Sequence, residues 1–196
     1  MSKPKLTDGP AVHVRGDTRA RIQEIAVELF TEHGYEGTSL REIAERLGVT
    51  KAALYYHFKS KEDIIRSLMD DYFGQVDSLV AWAQGQPRTP EVRAEILRRY
   101  LDMVADRHHV YRMLHQNQAA LASLKSGEDH GQLFKVRMNA IVSLLAEPDA
   151  SLSERVRATA AATSVSICWM FLHDEADDPS ALRAAILDIA TELAAG

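Results

Sequence analysis

Lys51, Ala52, Tyr55 and Lys59 share one face of the short segment KAALYYHFK if that segment is wound as a helix. Such a face carries a cation, a small residue and a phenol. Lysine neutralises phosphate, and a tyrosine offers both a hydroxyl and a ring edge to the bases, including the thymine methyl. The chemistry that fits is recognition of a DNA major groove. Leu54 and Phe58, four apart, point the other way and can pack inward. Thr50 stands as N-cap, where it and the helix N-terminus offer donors to phosphate oxygens. Lys59 and Lys61 lie just beyond the segment, where a phosphate backbone would pass.

A second set of reactive types is His108, His109, His115, His130 and His173. They show no H-E-x-x-H spacing, the chain has no paired Cys-x-x-Cys, and neighbouring histidines on a helix point in different directions. They read as core or solvated histidines, so neither a metal nor a catalytic group is expected. A helical metal-dependent enzyme is the rival they would support. Cys168 is the single cysteine, which precludes an intrachain disulfide. It sits in an apolar segment, where a thiol is usually inert.

The face at 51–59 needs a partner helix to hold it. Leu40, Ile43, Ala44 and Leu47 fall at i, i+3, i+4 and i+7, which predicts a helix. Ser39 and Glu42 form an S-x-x-E capping box at its start. Gly48 ends it, since glycine accepts a positive φ without a Cβ penalty. The whole stretch Ser39–Phe58 is therefore a helix–turn–helix. A preceding helix from Asp17 to His33 carries the stripe Ile22, Ile25, Ala26, Leu29 and Phe30 and stops at Gly34.

Beyond Phe58, Ser60 and Asp63 cap a long helix over 61–84, roughly 36 Å of it, with Gly74 as a possible bend. Thr89 and Pro90 open a helix with Val92, Ile96, Leu97, Tyr100, Met103 and Val104 in phase. A shorter helix is expected over 107–118, with Tyr111 and Leu114 inward, then a loop over 123–132. Another helix runs over 133–145. Ser151 and Glu154 cap a helix over 153–173 that is apolar nearly all round and should be buried on several sides. The last helix starts at Pro179 with Leu182, Ala185, Ile186, Ile189, Ala190 and Leu193 in phase. No strand pattern and no repeat is found. The expected class is all-α with about nine helices: a leader over 1–16, a helix–turn–helix domain over 17–61, and a larger helical domain over 62–196 whose first helix, 62–84, is a linker.

The net charge of −5 is unevenly spread. Residues 1–61 hold 10 Lys/Arg against 8 Asp/Glu, a net of +2, and the rest hold 13 against 20, a net of −7. The positive part coincides with the helix–turn–helix, and the acidic part disfavours indiscriminate adhesion to nucleic acid. A non-specific DNA-binding protein therefore becomes the lesser alternative. No apolar run approaches the roughly 18–20 residues of a membrane span. The first residues lack the apolar core of a signal peptide, and a cytoplasmic protein is expected.

The string TSLREIAERLGVTKAALYYHFKSKEDI resembles the DNA-binding domain of the tetracycline-repressor (TetR) family. The resemblance covers about residues 18–68: G-x-x-x-T-S, I-A, L-G-V, then L-Y-Y-H-F-K-S-K-E. The remainder shares only the family's helical layout. The resemblance implies a repressor that binds a palindromic double-stranded operator as a homodimer and is released by a small molecule. It marks His57 and Arg41 as further DNA contacts. The expected DNA face is thus Ser39, Arg41, Thr50, Lys51, Ala52, Tyr55, His57, Lys59 and Lys61. It also implies an effector pocket in the second domain, where Tyr100, Met103, Tyr111, Leu114, Phe134, Met138, Trp169 and Met170 could form adaptable, largely apolar walls. The two last helices are the expected dimer face, through Ala161, Val165, Leu182, Ile186, Ile189 and Leu193.

Overall fold

Gly34 and Gly48 have φ of +78° and +74°, and each ends a helix. In the computed structural model, which describes residues 15–117 and 130–195, these two left-handed turns set out the N-terminal helices. Helix α1 spans Arg15–His33, α2 spans Leu40–Leu47 and α3 spans Lys51–His57. Helix α1 begins two residues before Asp17. Residues 1–14 of the expected leader lie outside the described residues.

Ser39 Oγ accepts from the Glu42 amide at 3.2 Å, and Thr50 Oγ1 accepts from the Ala53 amide at 3.1 Å. The Glu42 carboxylate does not return to Ser39 as a full capping box would have it. It lies 2.7 Å from His33 Nδ1 and ties the start of α2 to the end of α1. Buried Thr38 donates its hydroxyl to the carbonyls of Leu29 and Gly34, satisfying the last turn of α1. Ile22, Ala26, Leu29, Phe30, Ile43, Leu54, Phe58 and Ile64 are at most 2% exposed, so three short helices close one core.

Helix α4 spans Lys61–Gln84. Its start is a reciprocal cap: Ser60 Oγ accepts from the Asp63 amide while Asp63 Oδ2 accepts from the amides of Lys59 and Ser60. The chain divides into two compact units at 64/65, inside this helix.

The second unit contains the rest of α4, then α5 (Pro90–Asp106), α6 (His108–Gln116), α7 (His130–Leu145), α8 (Leu152–Leu172) and α9 (Pro179–Ala195). Helix α5 packs on α7, α8 and α9, and α8 also packs on α6, α7 and α9. Tyr72, Val76, Leu97, Tyr100, Leu101, Ile141, Ala161, Val165 and Trp169 form its centre. Ser151 and Glu154 make both halves of their capping box, and Thr89 caps α5 with Pro90 in its first turn. Arg88 donates to the carbonyls of Ser143 and Ala146 at the end of α7.

Helix α7 begins at His130, three residues earlier than expected. The rest of the expected loop, residues 123–129, lies outside the described residues. Among the described residues there are nine helices and no strand, and no helix is long and apolar enough to cross a membrane.

Candidate nucleic-acid interface

Helix α3 is short enough that its two faces are decided residue by residue. Leu54 is 0% exposed and the following Phe58 is 2% exposed, with the Arg19 guanidinium 4.7 Å from the Phe58 ring centroid. Lys51 and Ala52 are exposed on the outward side, and Tyr55 is half-buried. Lys51 Nζ lies 5.4 Å from the Tyr55 ring centroid, so the cation and the phenol form one patch. Lys59 is exposed, and its Nζ donates to the Tyr55 carbonyl at 2.5 Å, folding the ammonium back over the end of α3.

Ser39 and Thr50 are both exposed at helix N-termini. Each hydroxyl accepts from its own helix and retains its proton for an outside acceptor such as a phosphate oxygen. Arg41 is exposed and gives its Nε to Glu45 at 2.7 Å, leaving the other guanidinium donors outward. His57 is half-buried against Tyr56, ring centroids 5.3 Å apart.

Lys61 is less free than its place in the sequence implied. Its Nζ donates to the Tyr35 carbonyl at 2.5 Å and sits 4.3 Å from the Tyr35 ring centroid. The phenol of that tyrosine titrates above its ordinary value, chiefly because it is buried and then because Glu62 stands beside it. Tyr56 went unassigned in the sequence and is 68% exposed. The only signal for it was the doubled tyrosine in LYYHF, which periodicity resolves to one outward residue too few.

In the second unit, the residues expected around an effector separate into two groups. Tyr100, Met103 and Trp169 are enclosed in the core, with Met138 packed against it. Burial, above all, raises the Tyr100 phenol far above its ordinary value, so it is a neutral hydroxyl facing those of Tyr72 and Ser166. Trp169 Nε1 is buried with no hydrogen-bond partner among the described residues. Phe134 is 39% exposed and stacks on Tyr72 at 6.5 Å. Met170 is half-buried. The side chains of Tyr111 and Leu114 lie outside the described residues.

A cavity of about 590 Å³ opens along α4 and α5, lined by Asp70, Asp71, Trp82, Arg99, Met103 and Asp106 among others. Among the described residues, Met103 alone of those expected around an effector reaches it, and three aspartates stand in its walls beside Leu79 and Trp82.

The expected dimer residues also divide. Ala161 and Val165 are 0% exposed and Ile186 is 5% exposed, enclosed by their own chain, so a partner can cover none of them. This corrects the expectation. The apolar composition of α8 on all sides concealed which side faces α5, α7 and α9. Ile189 is 52% exposed, and Leu182 and Leu193 are half-buried. The outward apolar groups of α8 are Leu152, Val156, Ile167, Phe171 and Leu172. The helix is therefore not buried on several sides.

Two of the histidines read as core or solvated are brought together. The rings of His108, opening α6, and His173, capping α8, have centroids 4.2 Å apart. The Trp169 and His173 ring centroids are 4.7 Å apart.

A helix–turn–helix unit with an exposed basic and phenolic helix is thus followed by a larger helical unit. Residues 22–68 match the family model of bacterial regulatory proteins, tetR family. The match thus covers about a quarter of the chain and falls on the helix–turn–helix and the start of α4. Among curated proteins, the chain is 38% identical over 82 residues to the HTH-type transcriptional repressor KstR2 of Rhodococcus jostii, covering 39% of this chain and 40% of that protein. It is 43% identical over 54 residues to the HTH-type transcriptional regulator AcrR of Shigella flexneri, covering 28% of this chain and 25% of that protein. The matches thus span well under half the length of these relatives.

The fold extends the likeness over nearly the whole chain. The TetR-family regulator PfmR of Thermus thermophilus superposes with a TM-score of 0.70 at 22% identity, over 90% of this chain and 98% of that one. The FadR regulator of Bacillus subtilis, solved in complex with stearoyl-CoA, gives 0.61 at 22% identity, over 88% and 97%.

Proposed function

We propose that the chain is a ligand-responsive transcriptional repressor that binds a palindromic operator as a homodimer. The observation that carries this reading is the outward face of α3. Lys51, Ala52, Tyr55 and Tyr56 stand exposed or half-exposed on a helix fixed by Leu54, Phe58 and the Gly48 turn. Lys51 and Lys59, with the hydroxyls of Ser39 and Thr50, bind phosphates, and the tyrosines meet base edges. Arg41, His57 and Lys61 complete the contact set, Lys61 while still bonded to Tyr35.

One such helix reads a few base pairs, and two copies about 34 Å apart read an inverted repeat. The apolar faces of α8 and α9 support pairing through Ile167, Phe171 and Ile189, with Leu182 and Leu193 at the margin. Each is left open to solvent by its own chain, wholly or in part.

The effector is a small, largely apolar molecule held in the second unit by residues among Tyr100, Met103, Tyr111, Leu114, Phe134, Met138, Trp169 and Met170. The unpartnered Trp169 Nε1 supplies a donor for a polar group on it. The stearoyl-CoA bound to the FadR neighbour supports a ligand of this kind. The effector acts through α4, the helix shared by both units, and lowers DNA affinity only by its preference for one of two states.

The test compares a palindromic duplex with random DNA at one fixed salt concentration. Tyr55→Ala should lose about 1–3 kcal/mol on the palindrome and little on random DNA. Equal losses on both would sink the base-reading role.

A further inference from the structure

We propose that His108, His173 and Asp174 form a binding site for a borderline divalent cation, zinc foremost. The three residues each offer a ligand atom, and these atoms lie within 4.8 Å of one another. His173 Nδ1 and Asp174 Oδ1 are already 3.2 Å apart. Two donors on one tetrahedral zinc, at 2.0–2.1 Å each, stand about 3.3 Å apart, so this pair needs almost no movement. The His108 ring, 4.2 Å from His173 and tilted 32° to it, must move in and turn to aim its lone pair at the same ion, since a metal binds in the imidazole plane.

The surroundings favour occupancy by a metal. Arg112 holds the second oxygen of Asp174, Oδ2, at 2.6 Å. That contact orients the carboxylate and leaves Oδ1 toward the histidines. Two imidazoles and one carboxylate suit zinc, nickel or copper rather than magnesium or calcium. Asp174 is exposed and the histidines are half-buried, so the ion has an entry path and an open position for water.

Such an ion would clamp the start of α6 to the end of α8, elements whose ligands lie 65 positions apart in the chain. The site is independent of the DNA-binding reading and stands or falls by metal binding alone.

The test is calorimetric titration of the untagged protein with zinc chloride. One ion per chain should bind saturably. His108→Ala and His173→Ala should each weaken it at least 100-fold, beyond the 10–100-fold that outer-shell partners command. His33→Gln, in the other unit, should leave it unchanged. The Trp169 indole beside His173 should report the same saturation by fluorescence in the unaltered protein. NMR should place the zinc-induced shifts on the His108 and His173 rings, which needs no variant to fold. Absence of a one-to-one phase would overturn the proposal. So would binding that survives both substitutions, or shifts on other histidines.

Discussion

Lys61 Nζ donates to the Tyr35 carbonyl at 2.5 Å and lies 4.3 Å from the centroid of the same residue's ring. One side chain thus fastens the start of α4 to the connection between α1 and α2. Lys59, two residues earlier, is exposed, and its ammonium reaches back to the Tyr55 carbonyl near the end of α3. Lys61→Ala should therefore destabilise the N-terminal unit by about 1 kcal/mol, the scale of one hydrogen bond and a half-exposed cation–π contact. Lys59→Ala should leave stability unchanged and lower the slope of log affinity against log salt by about one. Thermal melts and a salt series on both variants check this. No change in melting for Lys61→Ala would mean that its bond to Tyr35 does not hold the N-terminal unit in solution.

Gly48 and Gly74 should answer oppositely to alanine. Gly48 holds φ at +74°, a conformation that costs an L-residue roughly 1–2 kcal/mol. Gly74 lies inside α4, and a Cβ added there meets nothing within 4 Å. Gly48→Ala should lower stability by that amount, and Gly74→Ala should raise it by about 0.5–1 kcal/mol. Denaturant titration of both variants distinguishes them. Destabilisation by Gly74→Ala would show that the glycine serves a bend.

Glu95 accepts from Arg98 and Arg99 at 2.6–2.7 Å, and these bonds lower its carboxyl from the usual 4.5 to about 2. The folded chain thus binds this proton less readily than the unfolded one. The stability it contributes is full above pH 4.5 and is lost as the pH falls toward 2. Melting temperatures of the unaltered chain and Glu95→Gln should converge across that window. Parallel curves from pH 7 to 2 would mean that the arginines do not hold Glu95 in solution.

Ile167 and Phe171 are 43% and 58% exposed on α8, whereas Val165 on the same helix is enclosed. Phe171→Asp combined with Ile167→Asp should convert a dimer to a folded monomer with unchanged helicity. Val165→Asp should unfold the second unit, since it buries an unpaired charge. Sedimentation and circular dichroism separate the two outcomes. A dimer that survives both outward substitutions would move the interface elsewhere.

Local chemistry made much of this legible before any coordinates. Ser39, Thr50, Ser60, Thr89 and Ser151 marked helix starts, and Gly34 and Gly48 marked ends, because caps and left-handed turns are decided within a few residues. The inward pair Leu54 and Phe58 followed from spacing. What was hidden depended on distant packing. The Glu42 carboxylate turns to His33, not to its own cap. Helix α8 presents apolar groups on every side, so its sequence could not say that Val165 faces in and Phe171 out. The meeting of His108 and His173 needs α6 and α8 to pack, which no spacing within either helix encodes. Tyr56 escaped because a seven-residue helix carries too little periodicity to grade adjacent tyrosines.

The central claim is that two copies of α3 read an inverted repeat. Selection of bound duplexes from a random pool, followed by mass measurement of the complex on the enriched sequence, tests it most directly. The account predicts a palindromic consensus with half-site centres about 10 base pairs apart, or a multiple of that, occupied by an even number of chains. A pool that shows no enrichment, or an asymmetric site held by a single chain, would contradict it.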